Sequence, residues 1–260
     1  MKALLVPVVL LSFAASAAER TPVLVELFTS EGCSSCPPAD EALLTLGRDQ
    51  PVPGAEIVPL ELHVDYWDQQ GWVDPFSLPE ATARQEQYAA AAAKAGYKAQ
   101  VFTPQVVVDG TRSFVDSSPE LVRGAVAQAT ALPTRPIRAD LRPVPGGVDV
   151  EVHVGPGEDR PAALWVVLTE SGLSSRVTRG ENAGKTLVHA PVVRHLEQVA
   201  AVPGAGWTGT VRLVFARTWR RQALTVVAFA QDRASGRVVA IGTAPVPPPA
   251  VSAEPTAAHN

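Results

Sequence analysis

The hydrophobic pattern changes grammar once along the chain, near Leu132, and that change restricts the fold more than any single motif. Upstream of it, short β-branched runs alternate with helical segments. Val23–Phe28 and Ile57–Val64 read as buried strands, and Pro38–Gly47 and Pro79–Gly96 as helices stopped by glycine. Gln105–Val108, the turn Asp109-Gly110 and Arg112–Val115 read as a hairpin, and Pro119–Ala131 as a closing helix. The order β-α-β-α-β-β-α predicts a small sheet flanked by helices. After a proline-bearing linker, Leu132–Pro136, the helical period is lost. Val148–Val154 alternates apolar residues with Asp149, Glu151 and His153, the period-two sign of a half-exposed strand. Leu164–Leu168, Val188–Val193, Val211–Phe215, Leu224–Ala230 and Val238–Ile241 follow, the last two joined by a hairpin at Asp232–Gly236. Short strands at this spacing predict an antiparallel β-sandwich.

The two ends extend this layout. Lys2, the apolar stretch Ala3–Phe13 and the small residues Ala15-Ser16-Ala17 read as a secretory leader over 1–18. That stretch is shorter than the roughly 20 apolar residues a spanning helix needs, and no later segment is apolar enough to cross a membrane. The expected mature protein is therefore exported, to a bacterial periplasm or the extracellular space, where disulfides persist. The expected domains are 19–132 and 133–244, with a loose Pro/Ala-rich tail over 245–260. With 46% hydrophobic residues the chain can build a core, which excludes global disorder. With 22 Lys+Arg against 26 Asp+Glu the net charge is −4, which argues against nucleic acid or an anionic membrane as partner.

The chain has two cysteines, and both fall in Cys33-Ser34-Ser35-Cys36, after the first strand and before the first helix. A strand-to-helix junction presents free backbone N–H groups and a helix N-terminus, which favour a thiolate. Two intervening residues let the second sulfur reach the first and resolve a mixed disulfide. Three readings are open: a redox pair, a metal site, or an inert structural bridge. Zinc lacks a second cysteine pair here. Copper, a soft ion, would be suited by Cys33, Cys36 and His63 at the end of the neighbouring strand. Pro37-Pro38 fits only a first helical turn and moves the helix start toward Cys36. Thr103-Pro104 precedes the third strand. A trans bond there is the commoner case, whereas a cis bond could bring the Thr103 backbone to the sulfurs to pair with an incoming peptide. Tyr66, Trp67, Trp72, Phe76, Tyr88 and Tyr97 lie within an insertion from Asp65 to Ala99, as core under a helix or as walls of a substrate pocket beside Cys33. Glu31 reads as an exposed loop charge. His153, His189 and His195 read as dispersed strand or turn residues, and Glu181, Asn182 and Arg194 as turn or interface residues.

The strand, the CxxC at a helix start and Thr-Pro before a later hairpin together resemble the thioredoxin superfamily, over about Thr21–Leu132. More narrowly, the run from Glu26 to Asp40 is similar to the secreted family catalogued as domain of unknown function 1223. His63-Val64-Asp65-Tyr66-Trp67-Asp68, Gly71-Trp72, Thr103-Pro104-Gln105, Val108-Asp109-Gly110, Arg179-Gly180-Glu181-Asn182 and Val192-Val193-Arg194 fit the same family. The resemblance implies an α/β thioredoxin-like domain followed by the all-β sandwich domain. It implies Cys33 as attacking thiolate, Cys36 as resolving thiol and Pro104 as a cis proline opposite them. Glu26 stands nearest to that fold's buried proton-moving acid, one residue further from the cysteines than the pattern places it. The activity implied is thiol–disulfide exchange with protein or small-molecule thiols, with the disulfide itself as redox centre and no bound cofactor. The alternatives are copper delivery and a non-catalytic envelope-binding module.

Overall fold

The computed structural model describes residues 20–115 and 118–248, so the leader at 1–18 and the end of the tail lie outside the described residues. β1 (Thr21–Thr29) sits inside a sheet and is buried on both faces over Val23–Thr29. Its side chains alternate. Val23, Val25 and Leu27 pack beneath α1 (Pro37–Asp49) and α3 (Pro119–Ala129), whereas Leu24 and Phe28 face α2 (Pro79–Lys94). β2 (Ala55–His63) runs parallel to β1, and β3 (Gln105–Val108) and β4 (Arg112–Phe114) continue antiparallel on its other side. Both prolines of Pro37-Pro38 lie in the first turn of α1, where no backbone N–H is required of them. In the β3–β4 turn Asp109 has φ 51° and Gly110 φ 70°, and a Cβ on Gly110 would lie 2.2 Å from the Gly236 carbonyl.

The second half adds β5 (Ile137–Val144), β6 (Gly147–Val154), β7 (Ala162–Glu170), β8 (Ser174–Arg176), β9 (Thr186–Val188), β10 (Val192–Val202), β11 (Trp207–Val214), β12 (Leu224–Asp232) and β13 (Val238–Pro245). The sequence reading missed β5 and β8, and Ala190-Pro191 breaks the expected run Val188–Val193 into two strands. The tail also begins later than expected, since Pro245 ends β13 and the Val246 N–H bonds the Leu224 carbonyl.

The sequence predicts a helix-flanked sheet and a separate β-sandwich, but one mixed sheet of eight strands, β13-β12-β7-β10-β2-β1-β3-β4, crosses both halves. The junction is β10 beside β2, with Val192 opposite Glu61 and the Glu61 N–H on the Pro191 carbonyl. One face of this sheet is a continuous apolar layer joining Leu24, Leu60 and Leu62 to Trp165, Val193 and Phe229. The opposite face is covered by α1 and α3 in the first half. In the second half the three-stranded sheet β11-β6-β5 covers it, through Val150, Val152, Leu164, Val166 and Val226. The change of grammar at Leu132 is thus a change of cover on one sheet. Each fully buried Val, Leu or Phe in these layers stabilises by about 1.5–3 kcal/mol.

Candidate functional site

Cys33 and Cys36 form a disulfide at the head of α1, with Cys36 as its N-cap residue. An attacking thiolate at Cys33 requires that sulfur to be reachable from solvent. Instead Cys33 is 1% and Cys36 0% exposed, and only Ser34 and Ser35 between them face solvent. The cover comes from the second half of the chain. β8 and β9 pair as a hairpin whose tip, residues 177–185, lies across the cysteine loop. The buried Asn182 amide donates to the Glu31 and Cys33 carbonyls, both at 2.9 Å, and the Glu181 carboxylate accepts the Ser34 N–H at 3.0 Å. Gly180, with φ 73°, lets the tip rest on Trp72, where an added Cβ would lie 3.1 Å from the Trp72 Cβ. The N–H groups of Cys33, Ser34 and Cys36 are therefore already engaged. Cys33 N–H bonds Ser30, Cys36 N–H bonds Cys33, and Ser34 N–H faces a carboxylate rather than a thiolate.

Thr103–Pro104 is cis and leads into β3. Trp67 Nε1 donates to Thr103 Oγ1 at 2.9 Å, and Trp67 Cβ packs on Gly32, so Trp67 links the Thr103 loop to the cysteine loop. Trp72 Nε1 donates to Glu31 Oε2 at 2.8 Å. Both indoles brace loops around the pair. Tyr97 is 74% exposed and takes no part.

Glu26 stands elsewhere. It shares the α2-facing side of β1 with Leu24 and Phe28, away from α1, and is bound by Arg84 and Tyr88 of α2. Arg84 is 1% exposed, with its guanidinium over Trp165 at 4.7 Å and Phe229 at 5.0 Å. This is a structural ion pair, and the one-residue offset in the sequence is what turned the acid to the wrong face.

The acid on the α1 side is Asp40, one helical turn beyond Cys36. Its carboxyl accepts from Thr29 Oγ1 at 2.6 Å, and its pKa is raised to about 8 by burial first and by the nearby Glu61 charge second. Beneath it lies a buried chain of charge that the sequence reading dispersed. Glu31, 1% exposed rather than a loop charge, lies 3.0 Å from His189 Nε2. His189, also 1% exposed, places Nδ1 2.8 Å from Glu61 Oε1. His63 Nε2 is 3.0 Å from that same oxygen, and His63 Nδ1 is 2.7 Å from Asp74 Oδ2. His63 therefore points to Glu61 and Asp74, and the structure does not bring its ring nitrogens to the sulfurs. Burial alone would discharge both rings, but the carboxylates outweigh it. His63 is held well above its ordinary pKa and His189 is raised to about 9. Burial likewise pushes Glu61 and Asp74 up, yet the rings leave both below the usual carboxylate value. The one sequence signal for this cluster is Glu61 and His63 on alternate positions of the otherwise apolar run Ile57–Val64.

A family model described as a protein of unknown function, DUF1223, matches residues 24–231. The chain belongs to that family. No functionally curated protein matches this DUF1223 chain. It is similar to a crystal structure of a protein from Agrobacterium tumefaciens, with 27% identity and a TM-score of 0.64. The match covers 88% of the DUF1223 chain and 95% of the other. No helix among the described residues is long and apolar enough to cross a membrane.

Proposed function

We propose that this chain is an exported thiol–disulfide oxidoreductase with a thioredoxin-like first half, acting on protein or small-molecule thiols and disulfides. The observation that carries the reading is the place of the Cys33–Cys36 disulfide. It closes the loop between β1 and α1, in a unit ordered β2-β1-β3-β4 with α1 and α3 on one face and α2 on the other. That order and Pro104 ahead of β3 support the thioredoxin-like assignment. The leader read over 1–18 and the disulfide together support export.

In the oxidising direction a partner thiolate attacks Cys33 Sγ and breaks the bond to Cys36, which leaves as a thiolate and takes up a proton. A second partner thiolate attacks the partner sulfur of the mixed disulfide and releases Cys33. The partner dithiol loses two electrons and the pair gains them; the reverse sequence reduces a partner disulfide. Asp40, protonated at neutral pH and one turn from Cys36, suits the proton-donating role that the sequence reading gave to Glu26. The 177–185 tip must lift before either sulfur is reached.

Cys33→Ser is expected to abolish disulfide exchange with a model dithiol peptide, and Cys36→Ser, offered the oxidised peptide, to accumulate the mixed disulfide formed when Cys33 attacks the peptide disulfide, visible by mass spectrometry. The burial of both sulfurs favours one second reading, an inert bridge. No exchange by the wild-type chain, or no adduct in Cys36→Ser, would decide for that bridge, and full exchange activity in Cys33→Ser would reject Cys33 as the attacking thiol.

A further inference from the structure

Glu61 and His63 reach from β2, and His189 from the turn between β9 and β10, to a shared point beneath α1. One ligand atom from each lies within 4.8 Å of the others. We infer that Glu61, His63 and His189 form a divalent metal site, independent of the cysteines, that staples the two halves of the chain together.

The arrangement around these three side chains is that of a ligand set rather than of scattered ion pairs. Two ring nitrogens, His63 Nε2 and His189 Nδ1, converge on the same oxygen, Glu61 Oε1, at 3.0 and 2.8 Å. A first-row dication bonds such atoms at about 2.0–2.2 Å, which sets neighbouring ligands about 3.3 Å apart, so small outward shifts admit the ion. The far nitrogen of each ring is held by a carboxylate, Asp74 on His63 and Glu31 on His189. Metal-ligating histidines have this outer partner almost always, because it fixes the ring and raises its basicity. The outer acids are anchored in turn. Glu31 accepts from Trp72 Nε1 and Ser175 Oγ, and Asp74 from the Glu31 and Phe76 N–H groups. Glu61 Oε2 accepts the Ala190 N–H, which leaves Oε1 turned toward the rings. The Phe76 ring closes edge-on over both imidazoles, at 5.4 and 5.1 Å.

Charge points the same way. Glu31, Glu61 and Asp74 are three buried carboxylates around two imidazoles, and a dication would take the place of the ring protons that balance them in its absence. Imidazole and carboxylate with no thiolate favour zinc or a similar first-row dication over Cu(I). Two histidines and one glutamate are a sufficient protein set for zinc, with water completing the shell. A cavity of about 300 Å³, lined by Leu44, Arg48, Pro59, Gly172, His189 and Pro191, leads toward the site from the surface.

The test uses the full chain, stripped with a chelator and titrated with Zn²⁺ against a chromophoric competitor. The expected result is one zinc per chain and a higher unfolding temperature, since a ligand bound only by the folded state stabilises it. X-ray absorption should show nitrogen and oxygen neighbours only, unchanged in a Cys33→Ser/Cys36→Ser variant. His189→Ala should lose the stoichiometric ion, and Asp74→Asn should weaken binding by about 10–100-fold. No uptake by the wild-type chain, sulfur in its shell, or full binding by folded His189→Ala would overturn the assignment. None of these readouts depends on thiol exchange, so the site and the redox reading stand or fall separately.

Discussion

A guanidinium buried between a carboxylate and two aromatic faces is stable only while all its partners are present, and Arg84 is such a group. Removing it leaves the Glu26 carboxyl inside the sheet without its cationic partner, at a cost of about 3–5 kcal/mol. Arg84→Met should therefore lower urea stability by that amount, and adding Glu26→Gln should restore part of it. Asp40 offers a second test, by linkage. Its folded pKa of about 8 exceeds the unfolded value near 3.8, so the folded state holds the proton more tightly. Stability should fall as pH rises between those two values, and the penalty persists above the higher one. Asp40→Asn should flatten that slope, raising stability at pH 8 relative to pH 5 by at least about 1.4 kcal/mol, one pKa unit's worth. Urea titrations in the presence of chelator measure it. Such roles are only partly legible in sequence. Alternation assigns a residue to a face, so Glu61 and His63 could be paired, but nothing local revealed that His189, 128 residues on, completes the group. Glu31 is buried for the same reason: it sits in a loop, and only the opposite loop covers it.

At the scale of elements, the hairpin tip over the cysteines is held by few bonds. Asn182 supplies two donations to backbone carbonyls and Glu181 accepts one N–H. At about 1 kcal/mol each, the Asn182 bonds bias the closed state by more than tenfold. Asn182→Ala should accelerate reduction of the Cys33–Cys36 disulfide by dithiothreitol by about tenfold or more. An unchanged rate would mean that the tip does not control access. Elements were the most legible level of the sequence. Strongly periodic segments such as Pro79–Lys94, Gln105–Val108 and Leu224–Asp232 were read within a few residues. β5 was not, although Arg138, Asp140 and Arg142 alternate with apolar neighbours; the prolines at its start and within it broke the run. β8 is a three-residue strand with no apolar periodicity to detect.

Neither half is complete on its own. The first half ends in β2, whose free edge pairs with β10, and whose Glu61 and His63 would face solvent or an empty interior without His189. Its α2-facing layer is finished by Trp165, Val193 and Phe229, which also flank Arg84. A fragment of residues 20–132 would thus expose a strand edge, an apolar layer and uncompensated charge together. It should be recovered aggregated or without a cooperative transition, whereas the full chain should unfold in one step followed alike by far-UV circular dichroism and tryptophan fluorescence. Two separated transitions in the full chain, or a soluble, cooperatively folding 20–132 fragment, would show that the halves are stable alone. Coupling of this kind makes functional sense at the cysteines, because a pair covered by the opposite half can be exposed only when the two halves part locally. Anything that tightens their junction, a bound dication included, should then slow reduction of the disulfide in proportion to the stability it adds to the closed state.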